Sequence, residues 1–209
     1  MAQRRLEFHS HWKLSLSGNN ESQPEYVRGS QGTPAYTIIN SVSVGEHKAQ
    51  APREPIGCYV LTVSDTRTPE SDTSGKAIRD LFVEAGHHIT GFSIVRDEPD
   101  QVTTVIREQL ATEATRIIVT TGGTGITSRD GTFEAVDRLL EKRLDGFGEL
   151  FRMLSYEDIK AAAMLTRATA GTVGSKAIFV LPGSENAVRL AMSKLIVPEL
   201  RHVIQQLDK

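Results

Sequence analysis

Cysteine is nearly absent: Cys58 is the single thiol in a chain of 209 residues. One cysteine excludes an internal disulfide framework and fits a reducing, cytoplasmic compartment. A surplus of charge is also missing, since 24 Lys and Arg stand against 26 Asp and Glu. Without a basic excess there is no ground for a nucleic-acid partner held by bulk charge. No apolar run is long enough to span a bilayer, so no membrane partner is expected. The opening "MAQRRLEFHSHWKL" is basic but lacks the apolar centre of a secretory signal. The histidines have no cysteine company that would suggest zinc. There is no internal repeat.

What is present divides the chain in two. Residues 1–55 are rich in Ser, Gly, Asn, Gln and Pro and show no period beyond the short "YTIINSVSV". That composition predicts a largely disordered extension, either a dispensable tail or a partner-binding arm. From Ile56 to Lys209, strands and helices alternate. "CYVLTV" reads as a buried strand, and "HITGFSIV", "RIIVTT" and "AIFVLPG" as further strands. Between them, Ile78, Leu81, Phe82 and Ala85 share a helical face, as do Val102, Val105, Ile106 and Leu110, with Asp100 as a cap. Phe133, Val136, Leu140 and Leu144 predict a third helix capped by Thr132, and Gly148 to Leu165 a fourth. Two closing helices are expected on either side of Pro198. The alternation implies an α/β fold of three layers, a mainly parallel sheet with helices on both faces.

In such a sheet, ligands bind at the carboxyl ends of the strands. Four polar segments follow the four strands: Ser64-Asp65, Asp97, Gly122 to Asp130, and Pro182-Gly183-Ser184. Each alone could be a turn or a helix cap. Together they predict one pocket. The glycine loop "TTGGTG" is neither a Walker A loop, which needs a lysine, nor the dinucleotide fingerprint, which needs a third glycine after the first strand. It reads as a cradle of backbone N–H groups for an anion. The carboxylate of Asp130 in such a loop would repel a phosphate.

The motifs "TVSDTR", "DTSG", "TTGGTG" with "RDGT", "GFGELFRMLS", "TRATAG" and "LPGS" occur here in one order. In that combination the chain resembles the MoaB/Mog family of molybdenum cofactor biosynthesis proteins, and within it the MoaB branch. The resemblance spans Ile56 to Leu207. It implies a molybdopterin-binding fold and a molybdopterin adenylyltransferase, which uses Mg²⁺ and ATP to place AMP on the terminal phosphate of molybdopterin. It also implies a homotrimer or homohexamer. A non-catalytic molybdopterin-binding protein of the same pathway is the alternative.

The resemblance offers a reason for the carboxylate: a metal between it and the phosphates. It implies that Asp97 and Asp130 are catalytic and hold Mg²⁺. Without it, Asp97 is as well read as a solvated acid, and Asp130 as a helix-start residue. The resemblance further implies substrate contacts at Ser64 and Asp65, at Asp72, Ser74 and Gly75, and at Thr121, Gly122, Gly123, Thr124, Gly125 and Thr132. Pro182, Gly183 and Ser184 match a loop that holds the pterin phosphate. Glu149 and Arg152 are candidates that could equally form a surface ion pair. Arg167 could meet a phosphate through its fork or pair on the surface. The chain departs from the family at Phe133, where proline is common, and at Thr166, where serine is common.

Overall fold

The computed structural model describes residues 54–209, Arg129 excepted. The expected extension over residues 1–55 therefore lies almost wholly outside the described residues. Strand β1 (Gly57–Val63) is buried along its whole length. Helix α1 (Thr73–Glu84) returns the chain to β2 (His88–Val95), and α2 (Pro99–Ala111) leads to β3 (Ile117–Thr121). Then follow α3 (Thr132–Asp137), β4 (Lys142–Arg143), α4 (Asp145–Ile159) and a 3₁₀ turn at Lys160–Leu165. The hairpin β5 (Thr169–Val173) and β6 (Lys176–Leu181) completes the sheet. Helices α5 (Glu185–Ala191) and α6 (Val197–Leu207) close the chain.

The strands lie in the order β2-β1-β3-β6-β5-β4. β2, β1, β3 and β6 are parallel, β5 runs against them, and β4 pairs antiparallel with β5 at the edge. Side chains alternate between faces along each strand. Cys58, Val60, Ile117, Val119, Phe179 and Leu181 face a core closed by α1, α4, α5 and α6. Tyr59, Leu61, Ile118, Ile178 and Val180 face the other way, against Val102 and Ile106 of α2 and Val136 of α3. Both faces are covered, as continuous β-branched runs require.

Several local expectations are corrected. The third helix ends at Asp137 rather than running to Leu144. The backbone N–H of Glu141 donates to Thr172 and that of Leu144 to Ala170, at 2.9 and 2.8 Å, so the chain continues as an edge strand. Gly171 permits this, because a Cβ there would lie 2.5 Å from the Lys142 carbonyl oxygen. Thr132 is the first residue of α3 and not its cap, which is Gly131. Glu98, not Asp100, precedes α2, since Pro99 takes the first helical position, where its missing N–H costs nothing. The fourth helix breaks at Lys160, whose φ of 52° is outside the helical range. The closing helices do not separate around Pro198. A π turn at Met192–Ile196 joins them, widening the spiral just where the proline ring would otherwise strike the preceding turn.

Candidate functional site

Strand order reverses its direction of growth at β1. The connection from β1 leads to β2 on one side, and β3 lies on the other. A crevice at the carboxyl ends follows from that reversal. The loops that leave β1, β3 and β6 meet there, and the segment after β2 reaches across to them.

The loop after β3 approaches its neighbours closely. Gly122 has φ +100°, and a Cβ on it would stand 2.1 Å from the Val63 carbonyl oxygen of β1. Gly123 has φ +64°, and its Cβ would meet Thr132 Oγ1 at 2.3 Å and Asp97 Oδ1 at 2.8 Å. Only glycine tolerates both the dihedrals and the crowding. Thr132 is fully buried and donates its hydroxyl to Asp97 Oδ1 at 3.0 Å. Asp97, after β2, is thereby held against the glycine loop that follows β3.

Asp130 closes the same loop from its far end. Its Oδ2 accepts the backbone N–H of Thr127 at 2.9 Å and the Thr127 hydroxyl at 2.5 Å. The Thr127 hydroxyl, before any other cause, holds the Asp130 carboxyl below the usual carboxylate range. It is ionised at neutral pH. A Cβ on Gly125 would come within 2.5 Å of that Oδ2. Arg167 braces the loop from outside, donating to the Gly125 carbonyl at 3.1 Å, pairing with Glu134 and lying 4.5 Å over the Phe133 ring. Arg167 is thus engaged by the protein itself, and Phe133 supplies its stacking surface.

The third loop is tied in as well. The buried Thr121 donates its hydroxyl to the Pro182 carbonyl at 2.9 Å, and a Cβ on Gly183 would touch Gly122 Cα at 3.4 Å. Ser184 caps α5, accepting the Ala187 N–H at 3.3 Å. Thr124 is buried beside these residues in the chain.

Sequence reasoning missed Arg67. Its guanidinium donates to the Gly183 carbonyl at 2.6 Å, to Asp72 Oδ1 at 3.3 Å and to the Ser74 hydroxyl. One side chain therefore joins the loop after β1, the start of α1 and the loop after β6. The available signal was a lone arginine in "SDTR" between two anion-type loops. Ser64 shapes that turn by accepting the N–H groups of Thr66 and Arg67 at 3.3 and 3.2 Å. Ser64 and Asp65 line a depression of about 470 Å³ with Arg67, Phe92 and Arg96.

Asp72 is 2% exposed. It caps α1 by accepting the Gly75 N–H at 3.0 Å and also accepts the Thr62 hydroxyl at 2.8 Å. Gly75 must be bare there, since its Cβ would sit 2.0 Å from Asp72 Oδ2. Asp72, Ser74 and Gly75 therefore form the scaffold on which Arg67 rests. Glu149 and Arg152 stand apart, lining a depression of about 270 Å³ with Phe133, Asp137 and Arg143. They make no ion pair with each other among the described residues.

Residues 59–202 match the family model described as "Probable molybdopterin binding domain". The chain belongs to this family. It is 51% identical over 169 residues to molybdenum cofactor biosynthesis protein B of Bacillus subtilis (strain 168), a span covering 80% of this chain and 99% of the relative. The Bacillus cereus protein of that name matches at the same identity over the same share of both chains. A crystal structure of a molybdenum cofactor biosynthesis protein B is 49% identical and superposes with a TM-score of 0.73, covering 74% of this chain and 97% of that one. The tungsten cofactor synthesizing protein MoaB of Pyrococcus furiosus is 35% identical, with a TM-score of 0.68 over 76% of this chain and all of that one. The resemblance read from the motifs is thereby established, as is the α/β molybdopterin-binding fold. A role in molybdenum cofactor biosynthesis follows from these matches.

Proposed function

We propose that this member of the family adenylylates molybdopterin at the expense of ATP. The observation that carries the proposal is the placing of two carboxylates against one glycine loop, Asp97 at Gly123 and Asp130 at Gly125. An anion cradle lined by acids is self-defeating unless a cation joins them. The donors are hard oxygens, the class that Mg²⁺ prefers, and one or two carboxylates plus substrate phosphates suffice for it. Among the described residues no group of three or more His, Cys, Asp or Glu gathers for a metal. That pattern suits Mg²⁺ arriving with ATP better than a dedicated cage. When bound, Mg²⁺ neutralises phosphate charge at the reacting α-phosphorus.

The chain's own groups then have separable tasks. Backbone N–H groups of Gly123 and Thr124 bind the nucleotide phosphates, since that of Gly122 donates to the Leu181 carbonyl at 3.1 Å and that of Gly125 serves the Asp130 carboxylate. The Thr132 hydroxyl fixes the rotamer of Asp97. Gly183 and Ser184 receive the terminal phosphate of molybdopterin, and Arg67 ties the Gly183 carbonyl to the loop after β1. A phosphate oxygen of molybdopterin attacks the α-phosphorus. A new P–O–P bond forms, and the bond to pyrophosphate breaks with its electron pair leaving on pyrophosphate. Positioning and charge neutralisation supply the rate, with no strong base required.

Turnover with molybdopterin, ATP and Mg²⁺ tests the reading. Pyrophosphate release that stops on chelation is expected. Tight molybdopterin binding without Mg²⁺-dependent ATP binding would instead select the second reading, a passive molybdopterin carrier. One observation favours that alternative: Asp130 Oδ2 already serves Thr127 twice. We further propose a cytoplasmic homotrimer or homohexamer. The exposed apolar row Leu150, Met153, Tyr156 and Ile159 on α4, with Met164 and Leu165 beyond it, supports assembly.

A further inference from the structure

The first turn of α3 reaches both arms of the glycine loop. Its first residue, Thr132, holds Asp97 through a hydroxyl hydrogen bond. The next two residues hold Arg167: Phe133 lies 4.5 Å from its guanidinium, and Glu134 pairs with it. Arg167 in turn donates to the Gly125 carbonyl at 3.1 Å. The N–H of that same glycine serves the Asp130 carboxylate, as does the N–H of Thr127. Gly125 is therefore gripped through both of its backbone polar groups. Three consecutive residues of one helical turn thus fix where Asp97 and Asp130 stand relative to each other. The side chains of Arg167 and Glu134 are 24% and 49% exposed, and an ion pair so open to water adds little to stability. The stacking ring stands where this chain departs from the proline common in the family, which would offer no aromatic face.

We infer that Arg167, seated on Phe133, is a positioning residue that fixes Gly125 and so sets the spacing of Asp130 and Asp97 across the nucleotide cradle. Gly123 and Thr124 lie between the two arms. Gly123 is hemmed in by Thr132 and Asp97, and Gly125 is held by Asp130 and Arg167. A glycine-rich segment is free to reorient unless its ends are fixed. Fixed ends present the same two N–H groups before and after a charged ligand enters, which saves the cost of ordering them. The guanidinium suits this task because its rigid fork meets two acceptors on different elements at once, the Gly125 carbonyl and Glu134. An ammonium keeps the charge but not that geometry. The inference rests on the reading of this loop as the cradle for the nucleotide phosphates.

Pyrophosphate-release kinetics on three variants test it, beside amide hydrogen exchange on the ligand-free proteins. Arg167→Met keeps the stem and loses the donors. Its kcat should fall about 10- to 100-fold, the scale of a misplaced reacting group, with KM for molybdopterin within about twofold of wild type. Its melting temperature should change little. Arg167→Lys should stay close to Arg167→Met. Phe133→Leu should lower kcat about 2- to 5-fold, the scale of a cation–π contact open to solvent. Exchange at the Gly125 and Thr127 amides should quicken about 10-fold in Arg167→Met, the scale of one lost charge-assisted bond, while β3 stays protected. Wild-type turnover in Arg167→Met would overturn the inference. Full activity in Arg167→Lys, or a loss confined to KM for molybdopterin, would also overturn it and make Arg167 a direct phosphate contact. Unchanged exchange overturns it whatever the kinetics. If the wild-type protein releases no pyrophosphate, adenylylation falls and exchange decides alone, faster exchange upholding the hold of Arg167 on the loop.

Discussion

At the carboxyl ends of β1, β3 and β6, hydrogen bonds run from loop to loop: Arg67 to Gly183, Thr121 to Pro182, Thr132 to Asp97. At the amino ends, polar side chains serve the backbone of the elements beside them. His87 Nδ1 accepts the Ile56 N–H at 3.2 Å, and Lys176 Nζ donates to the Gln109 carbonyl at 3.0 Å and to the Thr112 carbonyl. Both side chains are nearly closed to solvent, at 6% and 8% exposure. The amino end is a finished structure whose polar groups satisfy orphan donors and acceptors. The left-handed glycines of the amino end, Gly86 and Gly174, stand in open space, whereas Gly122 and Gly123 at the carboxyl end are pressed against their neighbours beside an ionised carboxylate, an arrangement that stability alone does not require. Changes at the two ends should separate activity from stability.

The largest effects belong to the carboxyl end. Asp97→Asn and Asp130→Asn each keep an oxygen acceptor for Thr132 or Thr127 while removing the charge. Adenylylation should fall by about 100-fold or more for each, the scale of one electrostatic group in a site. Melting temperature should change little, because the loop hydrogen bonds survive. Pyrophosphate release and thermal melts on the same preparations check both halves. Normal turnover with early melting would make these acids structural.

Next comes the opposite pattern at the amino end. Lys176→Met removes the charged donor that the Gln109 and Thr112 carbonyls share and leaves each with one backbone donor, the N–H groups of Thr112 and Thr115. The cost should be about 1 kcal/mol in denaturant unfolding, the scale of a lost hydrogen bond rather than of an orphaned acceptor, with turnover per folded molecule unchanged. Loss of turnover in a stable variant would break the contrast.

The parallel half of the sheet was legible because β1, β2, β3 and β6 are runs of apolar and β-branched residues bounded by polar loops. Four such strands were enough to predict that their loops converge. The antiparallel edge was not legible. β4 has two residues, both exposed, and β5 contains Gly171, so neither shows a period. The apolar spacing through Leu140 and Leu144 imitated a helix, and only the ladder to β5 ends it. Within the site, glycine and aspartate carried their own signals. Arg67 did not, because its role is to touch Asp72 and Gly183, and 116 positions separate Arg67 from Gly183. For Asp72, Ser74 and Gly75 the structure supplied a scaffold role, beneath Arg67, that spacing could not.

A smaller effect should appear in the pH dependence of stability. Burial, then Arg201 and His88, lowers the His87 pKa below the ordinary 6.5. Above about pH 6.5 the ring is neutral in both folded and unfolded chains, so it adds no slope. As pH falls below that value the unfolded ring takes a proton first, and the native state loses stability until the folded pKa is passed. The slope from one such group is at most about 1.4 kcal/mol per pH unit. His87→Asn keeps an acceptor for the Ile56 N–H and removes the titration. Its melting temperature should fall less than that of the wild-type protein between pH 6.5 and 5. Parallel curves would show that another group governs the acid limb.

The smallest effect is expected where the sequence placed site residues that the converging loops do not include. Glu149 and Arg152 lie beyond the Phe133–Arg167 stack, in a depression shared with Asp137 and Arg143. Arg143 pairs with Asp137 there, so charge in that depression is already partly balanced. Exposed polar changes away from packed features usually shift stability by less than about 0.5 kcal/mol. Glu149→Gln and Arg152→Gln should therefore leave melting unchanged and lower kcat/KM by less than about threefold, since neither side chain faces the Gly123–Asp97 contact. Steady-state kinetics at varied molybdopterin and at varied ATP would check this. A large rise in KM for one substrate alone would extend the candidate site past Arg167 and make the depression part of it. The loop-to-loop bonds at the carboxyl end would then describe only the inner half of a wider cleft.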